Sequence, residues 1–218
     1  MRDEARFDHI LDPTGLSRRR PVEESLAARR PPTLANVRVG LLNNTKQNAA
    51  PLLAELGRLL GREHGAVVSI QRTKQTIAAQ VDDALLKEIA AVSDVVVVGV
   101  GDCGSCSASA VADGIAFERA GVPAAVICSD AFEVTARAMA EVQGDAGFDF
   151  LMTSHPVAVL NPAQVDDRAA ELVPAVLARL TAPGTPAETG TRPGTDTGTR
   201  PGTETRTETD VAPRPGAS

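Results

Sequence analysis

Apolar residues are distributed along the middle of the chain in two alternating patterns. Short, continuous runs such as residues 94–100 consist mostly of β-branched valines, which is typical of strands buried in a parallel sheet. Longer segments such as residues 47–64 repeat leucine every three or four positions and predict a helix with one apolar face. Because the two patterns alternate, the sequence predicts an α/β fold.

The alternation extends over the central region and predicts five strands and five helices. The predicted strands span residues 37–42, 66–70, 94–100, 123–128 and 148–152, and the predicted helices span residues 47–64, 82–92, 107–120, 131–143 and 162–180. Right-handed crossovers between parallel strands place helices on both faces of a sheet. We therefore expect a three-layer, doubly wound domain with a mostly parallel five-stranded sheet.

Composition divides the chain into three regions. Residues 1–35 combine arginine–proline clusters with few apolar anchors, and they predict an arm that packs across the domain or a neighbouring subunit. Residues 36–181 form the predicted α/β domain. Residues 182–218 are rich in Gly, Pro and Thr and cannot bury enough apolar surface to offset their ordering entropy, so they predict a disordered tail.

Charge and cysteine content exclude several classes of protein. The 218-residue chain has a formal net charge of −6, which is not the charge of a nucleic-acid binder. No apolar run approaches the roughly 18–20 residues that span a bilayer, and the charged N-terminus lacks the apolar core of a secretory signal. Three cysteines are too few for a disulfide scaffold. We expect a cytoplasmic protein with reduced thiols and no nucleic-acid or membrane partner.

Chemically active residues follow the predicted strands at their carboxyl ends, which lie on one edge of a parallel sheet. The residues expected to converge there are Asn43, Lys46, Asn48, Lys74, Asp102, Cys103, Ser105, Cys106, Cys128 and His155. A thiol at a helix N-terminus has a lowered pKa, so the Cys103–Cys106 pair predicts a nucleophilic or redox site. His155 or Asp102 is the candidate for proton transfer.

Other polar residues at this edge are candidates for binding a small, anionic substrate. They are Asn43, Lys46, Asn48, Lys74, Ser105 and Cys128. Cys128 ends an apolar strand and is equally typical of a buried cysteine that acts as a small hydrophobic residue. No glycine-rich nucleotide-binding motif occurs, so no cofactor is expected.

The motif Cys103-Gly104-Ser105-Cys106, preceded by Gly101-Asp102, resembles the UGSC family of bacterial proteins, in which selenocysteine can occupy the first position. The resemblance takes in Leu11-Asp12-Pro13-Thr14-Gly15, residues 118–128 and His155-Pro156. The same segment is distantly similar to the selenoprotein B subunit of glycine, sarcosine and betaine reductases. In those enzymes a selenolate attacks the substrate carbon. The resemblance implies that Cys103 is the nucleophile and Cys106 the resolving thiol.

Three functions remain open from the sequence. The leading hypothesis is a thiol-dependent enzyme that performs reductive cleavage or thiol–disulfide chemistry, is served by a thiol reductant or reductase partner, and is compatible with a homo-oligomer. The second is a cofactor-independent lyase or isomerase with Cys103 and Cys128 on opposite faces of the substrate. The third is a metal-binding protein, since Cys103, Cys106, Cys128 and His155 form a set suited to zinc.

Overall fold

The computed structural model describes residues 27–182. The strands are β1 (Arg38–Asn43), β2 (Val67–Thr73), β3 (Val95–Gly101), β4 (Ala124–Ser129) and β5 (Leu151–Thr153). The helices are α1 (Ala49–His64), α2 (Asp83–Val92), α3 (Gly104–Arg119), α4 (Glu133–Val142) and α5 (Pro162–Leu180). The predicted tail, apart from Ala182, and residues 1–26 of the predicted arm lie outside the described residues.

The five strands form one parallel sheet in the order β2-β1-β3-β4-β5. This order confirms the predicted doubly wound α/β fold. The chain leaves β1 toward one edge of the sheet to form β2, and it continues on the other side of β1 as β3. The crevice at the carboxyl ends of β1 and β3 is therefore the topological switch point, where open α/β sheets bind ligands.

Helices cover both faces of the sheet, and β3 separates the two apolar cores. Val95 and Val97 pack among residues of α1 and α5, whereas Val96 and Val98 pack among residues of α2, α3 and α4. All four side chains are completely buried. Each such burial contributes on the order of 1.5–3 kcal/mol relative to exposure. The valine run thus anchors the strand that leads directly into Asp102.

Three element boundaries differ from the sequence prediction by three residues, and the others differ by at most two. Helix α3 begins at Gly104 instead of residue 107, so Cys103 caps the helix instead of lying in a preceding loop. Strand β2 continues to Thr73 because it pairs with β1 along its full length. Strand β5 begins at Leu151, because Phe148 and Phe150 are used to fill the core beside α3 and α4.

The described end of the arm is fixed at the amino-terminal edge of the sheet, opposite the motif. Glu118, near the end of α3, accepts a hydrogen bond from the Ala28 N–H at 2.7 Å. Its carboxylate also forms an ion pair with Arg30 at 2.7 Å. Arg179 of α5 approaches the same carboxylate at 3.3 Å. The described arm residues therefore pack across the domain. Among residues 27–182, no helix has both the length and the apolarity to cross a lipid bilayer.

Candidate active site

Cys103 occupies the N-cap of α3, directly after β3 ends. Its backbone is extended, and its half-buried sulfur accepts the N–H of Cys106 at 3.4 Å. The first turn of α3 contains no acidic residue. The unsatisfied N–H groups and the dipole of this 16-residue helix therefore favour a negative charge on the Cys103 sulfur.

The surroundings of Cys103 lower the pKa of its thiol. Partial burial alone raises this pKa, but hydrogen bonds from the Cys106 thiol and N–H and from the Ser105 hydroxyl outweigh that effect. The positive charge of Lys46 acts in the same direction. Cys103 is thus the thiol that ionises first at this site, and its thiolate is the reactive form.

Cys106 lies next to Cys103 but has the opposite electrostatic environment. Its sulfur is fully buried and lies 2.6 Å from the Cys103 sulfur. Burial and the adjacent Cys103 sulfur together raise the pKa of the Cys106 thiol to about 12. The Asp102 N–H donates to the Cys106 sulfur at 3.0 Å, and the Cys103 carbonyl oxygen lies 3.2 Å from the same sulfur. Cys106 therefore remains a protonated, positioned thiol.

Asp102 is a buried carboxylate that holds the loop after β5. It accepts the N–H groups of Val157 at 3.1 Å and Ala158 at 2.9 Å, and its other oxygen lies 2.9 Å from Nδ1 of His155. Burial alone raises the pKa of Asp102, but these N–H groups, the Ser129 hydroxyl and His155 together lower it. Asp102 therefore stays ionised and acts as an acceptor.

This carboxylate determines the tautomer of His155. Because ionised Asp102 can only accept, Nδ1 of His155 carries the hydrogen and Nε2 is left with its lone pair. The Ser129 hydroxyl lies 3.1 Å from the same Nδ1, and the Phe132 ring contacts the imidazole edge to face at 5.3 Å. With 36% of its side chain exposed, His155 is partly accessible from solvent.

Sequence reasoning did not assign roles to Ser129, Asp130 or Phe132. Asp130 accepts the backbone N–H of His155 at 3.0 Å, so all three residues position the histidine. The sequence indicated only their position: Ser129 ends β4, and Asp130 and Phe132 follow it at the same edge of the sheet. Asn44 was also unassigned. Its side chain donates to the Val100 carbonyl at 3.0 Å and accepts the Val100 N–H at 2.9 Å, which fixes the end of β3.

Asn43 and Asn48, two substrate-binding candidates, are used by the protein itself. The Asn43 amide donates to Thr73 at 3.1 Å and accepts the Thr45 N–H at 3.0 Å. The Asn48 amide donates to three carbonyls in the loop after β5, at 2.9–3.2 Å. Asn48 therefore holds the carbonyl groups of this loop, whereas Asp102 holds its N–H groups.

Lys46 and Ser105 lie close to the nucleophile, and their side chains are available to contact a substrate. The half-buried Lys46 lies near enough to Cys103 and Cys106 to lower the pKa of both thiols. No carboxylate within residues 27–182 pairs with Lys46. Ser105 is exposed, with its hydroxyl 3.7 Å from the Cys103 sulfur. Both residues are placed to contact an anionic group.

Lys74 forms a buried ion pair and does not join Lys46 and Ser105 beside Cys103. Its ammonium lies 2.6 Å from both the Asp113 carboxylate and the Ser109 hydroxyl on α3. Asp113 also accepts the Val81 N–H at 2.6 Å. Burial raises the pKa of Asp113 to about 6, so the carboxylate is ionised at neutral pH. Lys74 thus ties the segment after β2 to α3 instead of offering a charge to substrate.

Cys128 is completely buried beneath the end of β3. A Cβ on Gly101 would meet the Cys128 sulfur and the Ser107 hydroxyl at 2.7 Å, so this close approach requires glycine. Burial raises the pKa of Cys128 to about 12, and the neighbouring Cys106 adds to that rise. Cys128 behaves as a core residue.

In the described part of the chain, no group of three or more His, Cys, Asp or Glu side chains is arranged to hold a metal ion.

Most of the chain matches a known protein family. The model of the UGSC family matches residues 9–182, about four fifths of the chain. The match includes every residue of the site described above. None of the curated proteins matches the chain significantly.

Proposed function

Since the chain belongs to the UGSC family, we propose that it is a thiol-dependent enzyme in which Cys103 attacks a small, anionic substrate and Cys106 resolves the adduct. The observation that carries this proposal is the pair of sulfurs 2.6 Å apart in opposite environments. One thiol is half-exposed with a lowered pKa, and the other is buried with its pKa raised to about 12. This asymmetry is what a nucleophile and its resolving partner require.

The first step uses the charge at the start of α3. Lys46 and the N–H groups of the first helical turn attract an anionic substrate toward the Cys103 thiolate. The thiolate forms a covalent bond with the substrate and expels a leaving group. His155 Nε2 serves as the site through which a proton reaches or leaves the reacting groups, since Asp102 holds the ring through Nδ1.

In the second step Cys106 attacks the Cys103 sulfur and closes a disulfide. The bound substrate fragment leaves with the electron pair of its bond to Cys103 and takes up the proton of the Cys106 thiol. The two sulfurs lie 2.6 Å apart, so each is within reach of the other for disulfide formation. A thiol reductant or a reductase partner then restores both thiols. Such a cycle suits a reducing compartment such as the cytoplasm.

Oxidation of the reduced full-length protein with diamide tests the pairing of the two thiols. After alkylation and peptide mapping, we expect a Cys103–Cys106 disulfide in the wild type. In Cys106→Ser we expect diamide to leave an adduct on Cys103. Cys128→Ala serves as the matched control and should give the wild-type pairing. A Cys103 that remains a free thiol, or a disulfide that includes Cys128, contradicts the proposal.

A further inference from the structure

The position of Cys106 limits which atom it can attack. Its sulfur is fully buried, in contact with the Cys103 sulfur at 2.6 Å, and held by the Asp102 N–H and the Cys103 carbonyl at 3.0 and 3.2 Å. A thiol held in this way contacts the Cys103 sulfur and is shielded from solvent. Resolution therefore occurs at the sulfur of Cys103 and not at a substrate atom bound to it.

Attack at that sulfur requires a group that can leave with the bonding electron pair. A thiolate leaves readily, and so does the oxygen of a sulfenic acid as water. An alkyl group bound through carbon would have to leave as a carbanion, which is a far poorer leaving group. A thioether on Cys103 would consequently be a dead end for Cys106.

Building on the proposed function, we infer that the substrate bond cleaved at this site joins two chalcogen atoms. The substrate class is a small anionic molecule with an S–S or O–O bond. This chemistry differs from the attack on carbon implied by the distant resemblance to the glycine, sarcosine and betaine reductases. It follows from sulfur at position 103 together with a buried resolving thiol that lies against that sulfur.

With a disulfide substrate, the Cys103 thiolate bonds to one substrate sulfur and the other leaves as a thiolate. Cys106 then attacks the Cys103 sulfur, its proton passes to the second departing thiolate, and the Cys103–Cys106 disulfide forms. The substrate has gained two electrons, and the protein has lost two. With a hydroperoxide, the first products are an alcohol or water and a Cys103 sulfenic acid, and closure releases water. In both cases an external dithiol reductant returns the electrons.

Lys46 supports the preference for an anion. It has no carboxylate partner within residues 27–182, and it lies beside a helix start that contains no acidic residue. Two sources of positive potential therefore act on whatever approaches Cys103. Both carboxylates of the site are engaged by the protein: Asp102 is buried and holds His155 and the loop after β5, and Asp130 accepts the backbone N–H of His155.

The experiment treats reduced full-length protein with one of three probes: the dianionic disulfide 5,5′-dithiobis(2-nitrobenzoate), hydrogen peroxide, or iodoacetate. With the disulfide, the wild type should release two nitrothiobenzoates for each Cys103–Cys106 disulfide formed, whereas Cys106→Ser should release one at this site and retain the other on Cys103. Peroxide should yield the same protein disulfide. Iodoacetate should leave a stable carboxymethyl group on Cys103, with Cys106 still a free thiol. The rate with each of the first two probes is divided by the rate of the same probe with the urea-unfolded protein, and the larger acceleration identifies an S–S or an O–O substrate.

The outcomes separate this inference from the proposed function. If the carboxymethyl group is lost as the Cys103–Cys106 disulfide forms, the inference fails while the nucleophile and resolving thiol stand. If Cys103 reacts with none of the three probes, the proposed function itself fails. Lys46→Gln should lower the rate at which Cys103 reacts with the dianionic disulfide about threefold to tenfold at low salt. Lys87 is an exposed lysine on α2, and Lys87→Gln should leave this rate unchanged. Equal rates in the two lysine variants would overturn the anionic preference.

Discussion

At the scale of single residues, the site depends on identical side chains in different surroundings. Cys103 caps a helix and is half-buried, while Cys106 and Cys128 are buried with pKa values raised to about 12. Asp102 is adjacent to the nucleophile in sequence, yet its carboxylate is directed to His155 and to the loop after β5. Its charge is therefore used to orient the histidine and not to transfer protons.

Replacement of Asp102 by Asn tests this role through stability. The variant leaves the N–H groups of Val157 and Ala158 without a charged acceptor, so we expect a loss of about 1.5–3 kcal/mol of unfolding free energy at pH 7. The pKa of Asp102 is lowered in the folded protein, so its contribution is present above the ordinary Asp pKa and is lost as the pH falls through the lowered value.

Urea unfolding of the wild type and Asp102→Asn across this pH range measures the effect. The difference between the two proteins should be largest near neutral pH and should shrink in acid. Asp130→Asn, which alters the acceptor of the His155 N–H at the surface, is the matched control and should cost less. A difference that stays constant down to the acid limit of folding would exclude the charge of Asp102 as its source.

At the scale of secondary-structure elements, α3 connects the site to the rest of the sheet. Its N-terminus bears Cys103 and Cys106, its middle holds Lys74 through Asp113, and its end holds the arm through Glu118. The Lys74–Asp113 pair fixes the segment after β2 against α3. This role is structural and does not require a substrate.

Lys74→Met should therefore destabilise the protein without changing its thiol chemistry. Removal of one partner leaves the buried Asp113 carboxylate uncompensated, so we expect a loss of about 3–5 kcal/mol in chemical denaturation. The double variant Lys74→Met/Asp113→Leu should recover much of this loss, since it removes both charges. A Lys74→Met protein that keeps its stability but loses the reaction of Cys103 with anionic probes would instead assign Lys74 to the substrate.

The sequence predicted the order of the strands and helices better than the residues at which they begin and end. Valine runs and leucine periodicity report burial, so the order of strands and helices and the edge bearing the motif followed directly. The start of α3 was misplaced because cysteine is not a typical N-cap residue, although Cys103 performs that role. The engagement of Asn48 and Asp102 with one loop could not be predicted, because it depends on contacts between residues distant in sequence.

At the scale of the whole molecule, the family match and the described structure end together. The family model matches through residue 182, and the Ala182 N–H donates to the Pro31 carbonyl at 2.9 Å. This bond joins the end of the domain to the arm. The residues beyond it are rich in Gly, Pro and Thr, which offers little apolar surface for packing.

Truncation after residue 183 should change the melting temperature by less than about 2 °C, because it retains Ala182 and all of α5. Truncation after residue 179 is the control, since it removes the fully buried Leu180 and should cost about 2–5 kcal/mol. Scanning calorimetry of the three proteins gives both values. A melting point several degrees lower in the shorter deletion would show that the tail contributes to the fold.

Competitive alkylation tests the central claim that Cys103 is the nucleophile. Reduced full-length protein is exposed to limiting iodoacetamide from pH 5 to 9, and the labelled cysteines are quantified by peptide mapping, with urea-unfolded protein as the control in which all three react alike. In the folded protein, Cys103 should label first, with an apparent pKa below that of the unfolded chain, while Cys106 and Cys128 label slowly. Faster labelling of Cys106 or Cys128, or a Cys103 pKa at or above its unfolded value, would contradict the account.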